Sequence, residues 1–422
     1  MLRLLILTGI VLLLDIYVFQ AVRLVTRDIS GQAARVIYVA YWSITAISLL
    51  ILFSAIITGW NSWPKIIRVY SFSFIIVFLI SKFFILIFLL TDDIGRIIRW
   101  GYTQVNGNVS IEAASTGSSP ENGITRSQFI VRMGLILSAV PFLTMIYGMV
   151  KGKYDYQIKR RRIRIKNLHR EFEGFKIAQI SDIHTGSFFD TQPTKDAVAL
   201  VNSLNADVIL FTGDLVNEKS EEALPHMENL KQLKAPYGVY SILGNHDYGD
   251  YVSWPSVKAK ADNLEQLKEI QKQLGWKLLL DEHTFIERNN QKLGIIGVQN
   301  WSTHLHFPKY GNLQKAMQNM EPAAVNILMT HDPSHWRAEV LNNHPEINLT
   351  LSGHTHGFQF GVEIPALKFK WSPVQYVYKE WADLYKDGAN QYLYVNRGLG
   401  YLGYPGRVGI LPEITLLELT KA

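Results

Sequence analysis

The sequence predicts a two-part protein: a helical membrane region of four spans over residues 1–153, then a layered α/β domain over residues 154–422. Three observations carry this reading. The first 150 residues are mostly apolar, in stretches long enough to cross a bilayer. The remainder has the mixed composition of an α/β protein, with short runs rich in β-branched residues. Five short polar motifs stand where such runs end: Asp182-Ile-His184, Gly213-Asp214, Gly244-Asn245-His246-Asp247, Thr330-His331-Asp332 and Gly353-His354-Thr355-His356-Gly357.

The apolar stretches are Leu2 to Val22, Val36 to Ile57, Val69 to Leu90 and Met133 to Val150, the last containing Pro141. As a helix, each covers about 30 Å of hydrocarbon. The first lacks a clear small-residue cleavage site and reads as a retained span. Asp15 and Lys82 lie at similar fractions of the first and third spans, which run in the same direction in a four-span topology, so the two are expected to pair.

Lys151, Lys153, Lys159, Arg160, Arg161, Arg162, Arg164 and Lys166 follow the fourth span, set against Asp155 alone. This cluster predicts that the end is cytoplasmic, on the inner face of a bacterial plasma membrane, with the loop from Gly101 to Gly123 outside. Arg23, Arg27 and Arg35 in the first connection oppose that orientation, and export of the domain is the rival. Thr125-Arg126-Ser127-Gln128-Phe129 looks like an export signal lacking its second arginine.

Within the α/β domain, Tyr156 to Ile165 alternates basic and apolar residues as an exposed-edge strand does, which also accounts for the basic cluster as a solvated strand face. Lys176 to Ser181, Asp207 to Thr212, Val239 to Leu243, Val325 to Thr330 and Ile347 to Ser352 read as buried strands, and Thr194 to Leu204 has helical spacing. Thr284 to Arg288 and Lys292 to Val298 flank Asn289-Asn290 as a hairpin. This pattern places ligands on loops at strand ends of a layered domain.

The net charge of +6 comes without an aromatic-and-basic stripe, so no nucleic-acid groove is expected. With no cysteine in the chain, any metal must be held by His, Asp, Glu or Asn. Taken together, the motifs supply carboxylate, amide and imidazole donors in the proportions of a two-metal hydrolytic site. In extended backbone, Asp182 and His184 would point to one side, as would His354 and His356. Gly213 and Gly244 would let the chain turn inward. Mixed oxygen and nitrogen donors favour Mn, Fe or Zn over Ca. His304 and His306 share the two-residue spacing but have no carboxylate, and are expected on the rim near Trp301.

From Gln157 to Leu419 this constellation resembles the calcineurin-like metallophosphoesterases, whose catalytic domain is an αββα sandwich. The resemblance implies that Asp182, His184 and His356 bind one divalent ion, that Asn245, His331 and His354 bind a second, and that Asp214 bridges them. It makes His246 the catalytic histidine and Asp247 its support or that of its loop. The segment from Leu393 to Gly400, with Pro405 to Arg407 and Pro412 to Ile414, is similar to a membrane-associated bacterial branch that includes UDP-2,3-diacylglucosamine pyrophosphatases of lipid A biosynthesis and phosphodiesterases.

On this basis the expected substrate is a phosphoester or pyrophosphate, lipid-linked or nucleotide-linked, with membrane lipids as partners. Arg397 and Arg407 are candidate anion contacts, with a surface ion pair as the alternative. Phe358 replaces the second glycine of the branch's Gly-Gly-Gln and is expected at the site entrance. Trp371, Tyr378 and Trp381, interleaved with lysines, suit either an interfacial segment or an ordinary loop. The competing class is a receptor or scaffold that binds a phosphorylated ligand without turnover; the presence of His246 speaks against it.

Overall fold

Four long helices, α1 (Leu2–Val25), α2 (Gly31–Thr58), α3 (Lys65–Asn106) and α4 (Arg126–Val150), occupy the apolar half of the chain. The computed structural model describes residues 2–106, 125–388 and 390–422, in two compact units, Met1–Ile146 and Tyr147–Ala422. Each of the four helices is long and apolar enough to cross a membrane. At about 1.5 Å per residue, α3 runs about twice the ~30 Å hydrocarbon thickness, well beyond the span expected from its apolar residues. The loop expected from Gly101 is therefore still helix through Asn106, and its remainder lies outside the described residues.

Val18 and Ala21 of α1 pack with Ile85 and Leu89 of α3, so the two helices are neighbours. Thr125 and Gln128, in the segment that looks like an export signal, cap α4. Thr125 Oγ1 accepts from the Gln128 N–H at 3.2 Å, and Gln128 Oε1 accepts from the Thr125 N–H at 2.9 Å. This is a reciprocal capping box, which satisfies N–H groups that a helix start leaves without partners.

In the second unit, the strands are β1 (Gln157–Ile165), β2 (Lys176–Ile180), β3 (Val208–Phe211), β4 (Val239–Ser241) and β5 (Lys277–Leu278). They continue with β6 (Glu282–Arg288), β7 (Gln291–Gly297), β8 (Val325–Met329), β9 (Leu349–Ser352) and a small hairpin, β10 (Val362–Ile364) and β11 (Phe369–Trp371). The last are β12 (Asp383–Asp387), β13 (Gln391–Val395) and β14 (Glu413–Lys421). One sheet has the order β1-β14-β2-β3-β4-β5 and the other β12-β13-β9-β8-β7-β6. Asn289 and Asn290 both adopt positive φ between β6 and β7, as a two-residue hairpin turn requires.

Side chains alternate along each strand and so divide the core into layers. In β3, Val208 and Leu210 face the second sheet, where they meet Leu293, Ile327 and Leu349. Ile209 and Phe211 face outward onto Val198 and Val201 of α5 (Gln192–Ser203), Leu230 of α6 (Met227–Leu230) and Leu267 of α7 (Val257–Gln273). Beyond the second sheet, Trp336, Val340 and Leu313 of α8 (Leu313–Ala316) cover Ile296, Leu328 and Leu393. The unit is the expected αββα sandwich.

β1 is the outer strand of its sheet, as its alternation predicts. Arg160, Arg162 and Arg164 form its exposed basic face, while Lys159 and Arg161, in phase with the buried Ile163 and Ile165, pair with Glu363 at 3.1 Å and with Asp383 at 2.6 Å. The parallel strands β2, β3 and β4 of one sheet and β8 and β9 of the other deliver all five polar motifs from their C-terminal ends.

Candidate metal centre

Backbone conformation at the motifs differs from the extended geometry their spacing suggested. Asp182, His184, Asp214, His354 and His356 all have φ between 48° and 71°, in the left-handed region. Such residues are uncommon away from glycine and gather where a structure holds functional groups in place. Gly213 turns the chain at φ 96°, but Gly244 is required for close approach: a Cβ there would collide with the Asp214 carboxylate and backbone nitrogen.

These turns bring the expected ligands together. His184 Nε2 lies 3.1 Å from His356 Nε2, which lies 3.2 Å from Asp182 Oδ1. In a second group, His331 Nε2 is 3.0 Å from Asp214 Oδ2, and His354 Nδ1 is 2.8 Å from Asn245 Oδ1. Asp214 Oδ2 is also 3.6 Å from His184 Nε2, which sets this carboxylate between the two groups. Donor atoms of Asp182, His184 and His356 lie within 4.8 Å of one another, as do those of Asp214, His331 and His354.

The residues fit divalent cations. Imidazole nitrogens and carboxylate oxygens converge in a buried space, and His184 Nδ1 is buried without a hydrogen-bond partner. Burial lowers the pKa of His184 to about 3 and of His354 to about 4, so both rings present lone pairs. Burial acts the same way on His331, but the charge and hydrogen bond of Asp214, with Asp182 behind it, raise it to about 10. The two carboxylates thus favour positive charge at this point.

Outer bonds hold the side chains of the second group. His331 Nδ1 bonds the Thr212 carbonyl at 2.7 Å. His354 Nε2 meets the Tyr378 hydroxyl at 2.8 Å, and that hydroxyl reaches Asp332 Oδ2 at 3.0 Å. Asn245 Nδ2 donates to Tyr251 at 2.9 Å. Such outer partners set ring orientation and ligand basicity.

His246 lines the same cavity, of about 410 Å³, with its Nδ1 2.7 Å from the Asn217 carbonyl and 3.5 Å from Glu218 Oε1. Burial opposes its positive charge, but the Glu218 bond and the charge of Asp214 outweigh it and raise the pKa to about 9. Glu218 and Asn217 belong to no recognisable motif, and nothing in their spacing marks them. Asp247 does not support the imidazole. Its carboxylate accepts from the backbone N–H groups of Asp214, Leu215 and Gly244 at 2.8–2.9 Å and so clamps two ligand loops together.

The expected anion contacts are placed differently. Arg397 is fully buried, paired with Glu413 and, at 2.9 Å, with Glu363. Arg407 is equally buried: it donates to the carbonyls of Arg397 and Gly400 and lies 3.1 Å from His356 Nδ1. Neither lines the cavity. Phe358 does stand at the entrance, half exposed. Tyr378 and Trp381 are core residues packed with Val374 and Ile410, which excludes them from an interfacial role. His304 lies outside both donor groups and packs its ring 4.6 Å from that of Tyr378.

Residues 2–153 match the family described as "Probable Calcineurin-like phosphoesterase, transmembrane domain", and residues 175–358 match "Calcineurin-like phosphoesterase". A Danio rerio transmembrane protein with metallophosphoesterase domain is 26% identical over 432 residues, covering 99% of this chain and 89% of the relative. A metallophosphoesterase of Bacillus subtilis (strain 168) is 28% identical over 281 residues, covering 65% of this chain and 89% of the relative. Relatives in animals and bacteria alike mean that similarity does not confine the chain to the bacterial branch. With both halves matched, the chain is a calcineurin-like metallophosphoesterase carrying an N-terminal four-helix transmembrane domain.

Proposed function

We propose that the protein is a membrane-anchored hydrolase that cleaves a phosphoester or pyrophosphate bond using two divalent ions. Asp182, His184 and His356 would hold one ion and Asn245, His331 and His354 the other, with the Asp214 carboxylate available to both. The observation that carries this reading is the Asp214 carboxylate, 3.0 Å from His331 Nε2 and 3.6 Å from His184 Nε2, on the wall of a cavity that also presents His246. Divalent ions bound there supply Lewis acidity, charge neutralisation and a nucleophile from water near neutral pH.

The chain's own groups do the rest. With Nδ1 bound to the Asn217 carbonyl, His246 keeps Nε2 for the leaving oxygen. In its protonated state the imidazolium would donate its Nε2 proton to the leaving oxygen as the phosphorus–oxygen bond breaks, while hydroxide, formed by loss of a proton from water to solvent, bonds to phosphorus. Asp247 holds the loops of Asp214 and His246 at fixed separation through its backbone bonds.

The substrates in view are lipid-linked or nucleotide-linked phosphates, UDP-2,3-diacylglucosamine of lipid A biosynthesis among them, with a bacterial plasma membrane and a cytoplasmic catalytic domain as the setting. Reporter fusions after Leu419 test the sidedness. For the activity, the full chain purified in mild detergent should bind two ions and hydrolyse bis(4-nitrophenyl) phosphate, and Asp214→Asn should abolish both. Binding of phosphorylated ligands without turnover by the metal-loaded chain would favour the receptor reading.

A further inference from the structure

The wall of the catalytic cavity has a chemical character of its own. Beyond the metal-binding groups and His246 it is lined by Phe307, Phe358, Val377, Leu402 and Tyr404, with the uncharged Thr355, Gln359 and Tyr378 between them, and no lysine or arginine occurs among the described residues that line it. The cavity, about 410 Å³, is of the size that takes a small molecule. Two buried guanidiniums stay off the lining: Arg397 pairs with Glu413 and Glu363, and Arg407 donates to backbone carbonyls and lies 3.1 Å from His356 Nδ1, on the far side of that ring from Nε2.

The apolar wall is held in shape. Gln359 donates to the carbonyls of Tyr404 at 2.9 Å and Gly406 at 3.0 Å and accepts from the Leu402 N–H at 2.6 Å. One amide side chain thus fixes the loop of Phe358 against the loop of Leu402 and Tyr404. Phe358 sits at φ 51°, a strained conformation for a bulky residue, yet its side chain is 50% exposed. Core packing does not explain a strained, half-exposed ring beside the reacting centre. Val377, 51% exposed, continues the same surface.

We infer that the substrate carries one phosphoryl group attached directly to an apolar moiety, and is not a nucleoside diphosphate. A second phosphate would enter a space without a guanidinium or ammonium to receive it, where an unpaired charge is costly. An alkyl or acyl group, by contrast, gains from every apolar atom it covers. This rests on the hydrolase reading and narrows its substrate class, keeping the lipid-linked phosphoesters and removing the pyrophosphates and nucleoside diphosphates such as UDP-2,3-diacylglucosamine.

The test uses the full chain in amphipol, loaded with Mn(II), in two arms. One arm measures kcat/KM for 4-nitrophenyl phosphodiesters of methanol, butanol and hexanol and for the 4-nitrophenyl ester of uridine 5′-phosphate. The other measures binding of methyl-, butyl- and hexylphosphonate and of uridine diphosphate by calorimetry, independently of turnover. From methyl to hexyl, kcat/KM and affinity should each rise by about tenfold or more, with the uridine compounds no better than methyl. Phe358→Ser should flatten that dependence, and Val377→Lys should raise uridine diphosphate affinity. Equal treatment of all chain lengths, a preference for uridine diphosphate, or a chain-length dependence unchanged in Phe358→Ser would overturn the inference. Chain-length-dependent phosphonate binding without any hydrolysis would uphold it and remove the hydrolase reading instead.

Discussion

The Lys82 ammonium lies 2.6 Å from the Asp15 carboxylate, joining α3 to α1 inside the apolar half of the chain. Thr45 of α2 donates to the same carboxylate, and the Tyr41 hydroxyl donates to the Asp15 carbonyl at 2.8 Å. Three helices therefore share one buried polar cluster. Removing one partner leaves the other charged and unpaired, which costs about 3–5 kcal/mol, whereas apolar replacement of both is often neutral. Asp15→Leu and Lys82→Met should each lower the unfolding temperature in detergent, and the double variant should recover most of the loss. If the double variant is as unstable as the worse single one, the pair is not the source of the effect.

Asp214 serves two donor groups and His354 one, so their removal should differ in metal stoichiometry. Asp214→Ala should lose both ions, while His354→Ala should keep the ion of Asp182, His184 and His356. Elemental analysis of the purified variants against the parent chain reads this directly, and equal losses would argue against a shared carboxylate.

His246 should be separable from the metal ligands. His246→Ala is expected to lower kcat by about 10² or more with metal content intact. As the proton donor, His246 is active in its charged form, so activity should fall as pH rises through its pKa. That pKa is raised to about 9 by the Glu218 bond and the charge of Asp214 against the effect of burial, and cations in the site push it back down. The alkaline limb of kcat/KM should therefore lie below pH 9, and Glu218→Gln should move it lower still. A limb that does not respond to Glu218→Gln would detach it from His246.

How much of this was readable from sequence depends on what each residue does. The ligands were legible because metal chemistry admits few residue types, and because β2, β3, β4, β8 and β9 are apolar runs that end where those types begin. The left-handed conformations of Asp182, His184, Asp214, His354 and His356 were not, since they arise from loops pinned by distant groups such as Asp247 and Gly353. The burial of Arg397 and Arg407, expected as anion contacts, and of Tyr378, for which an interfacial segment and an ordinary loop both stood open, was not legible for a related reason. Their burial depends on Glu413, on backbone carbonyls and on Asp332, partners that only the folded chain brings within reach.

Tyr378 should tune one metal position without touching the ion. Its hydroxyl joins His354 Nε2, at 2.8 Å, to Asp332 Oδ2, at 3.0 Å, leaving Nδ1 on the side of Asn245. Loss of such an outer bond lets the ring rotate and weakens the ligand, and it typically costs about 10–100-fold in metal affinity. Because the ring of Tyr378 packs with Val374, Trp381 and Ile410, Tyr378→Phe keeps the core filled and removes only the hydroxyl. Titration of the metal-free chain with Mn(II), followed by calorimetry, should then show one site weakened by that factor and the other unchanged. Asp332→Asn should give a smaller effect in the same site, because the amide can still accept from the tyrosine. Equal weakening of both sites in Tyr378→Phe would mean that the hydroxyl supports the fold of the centre as a whole instead of the His354 ring.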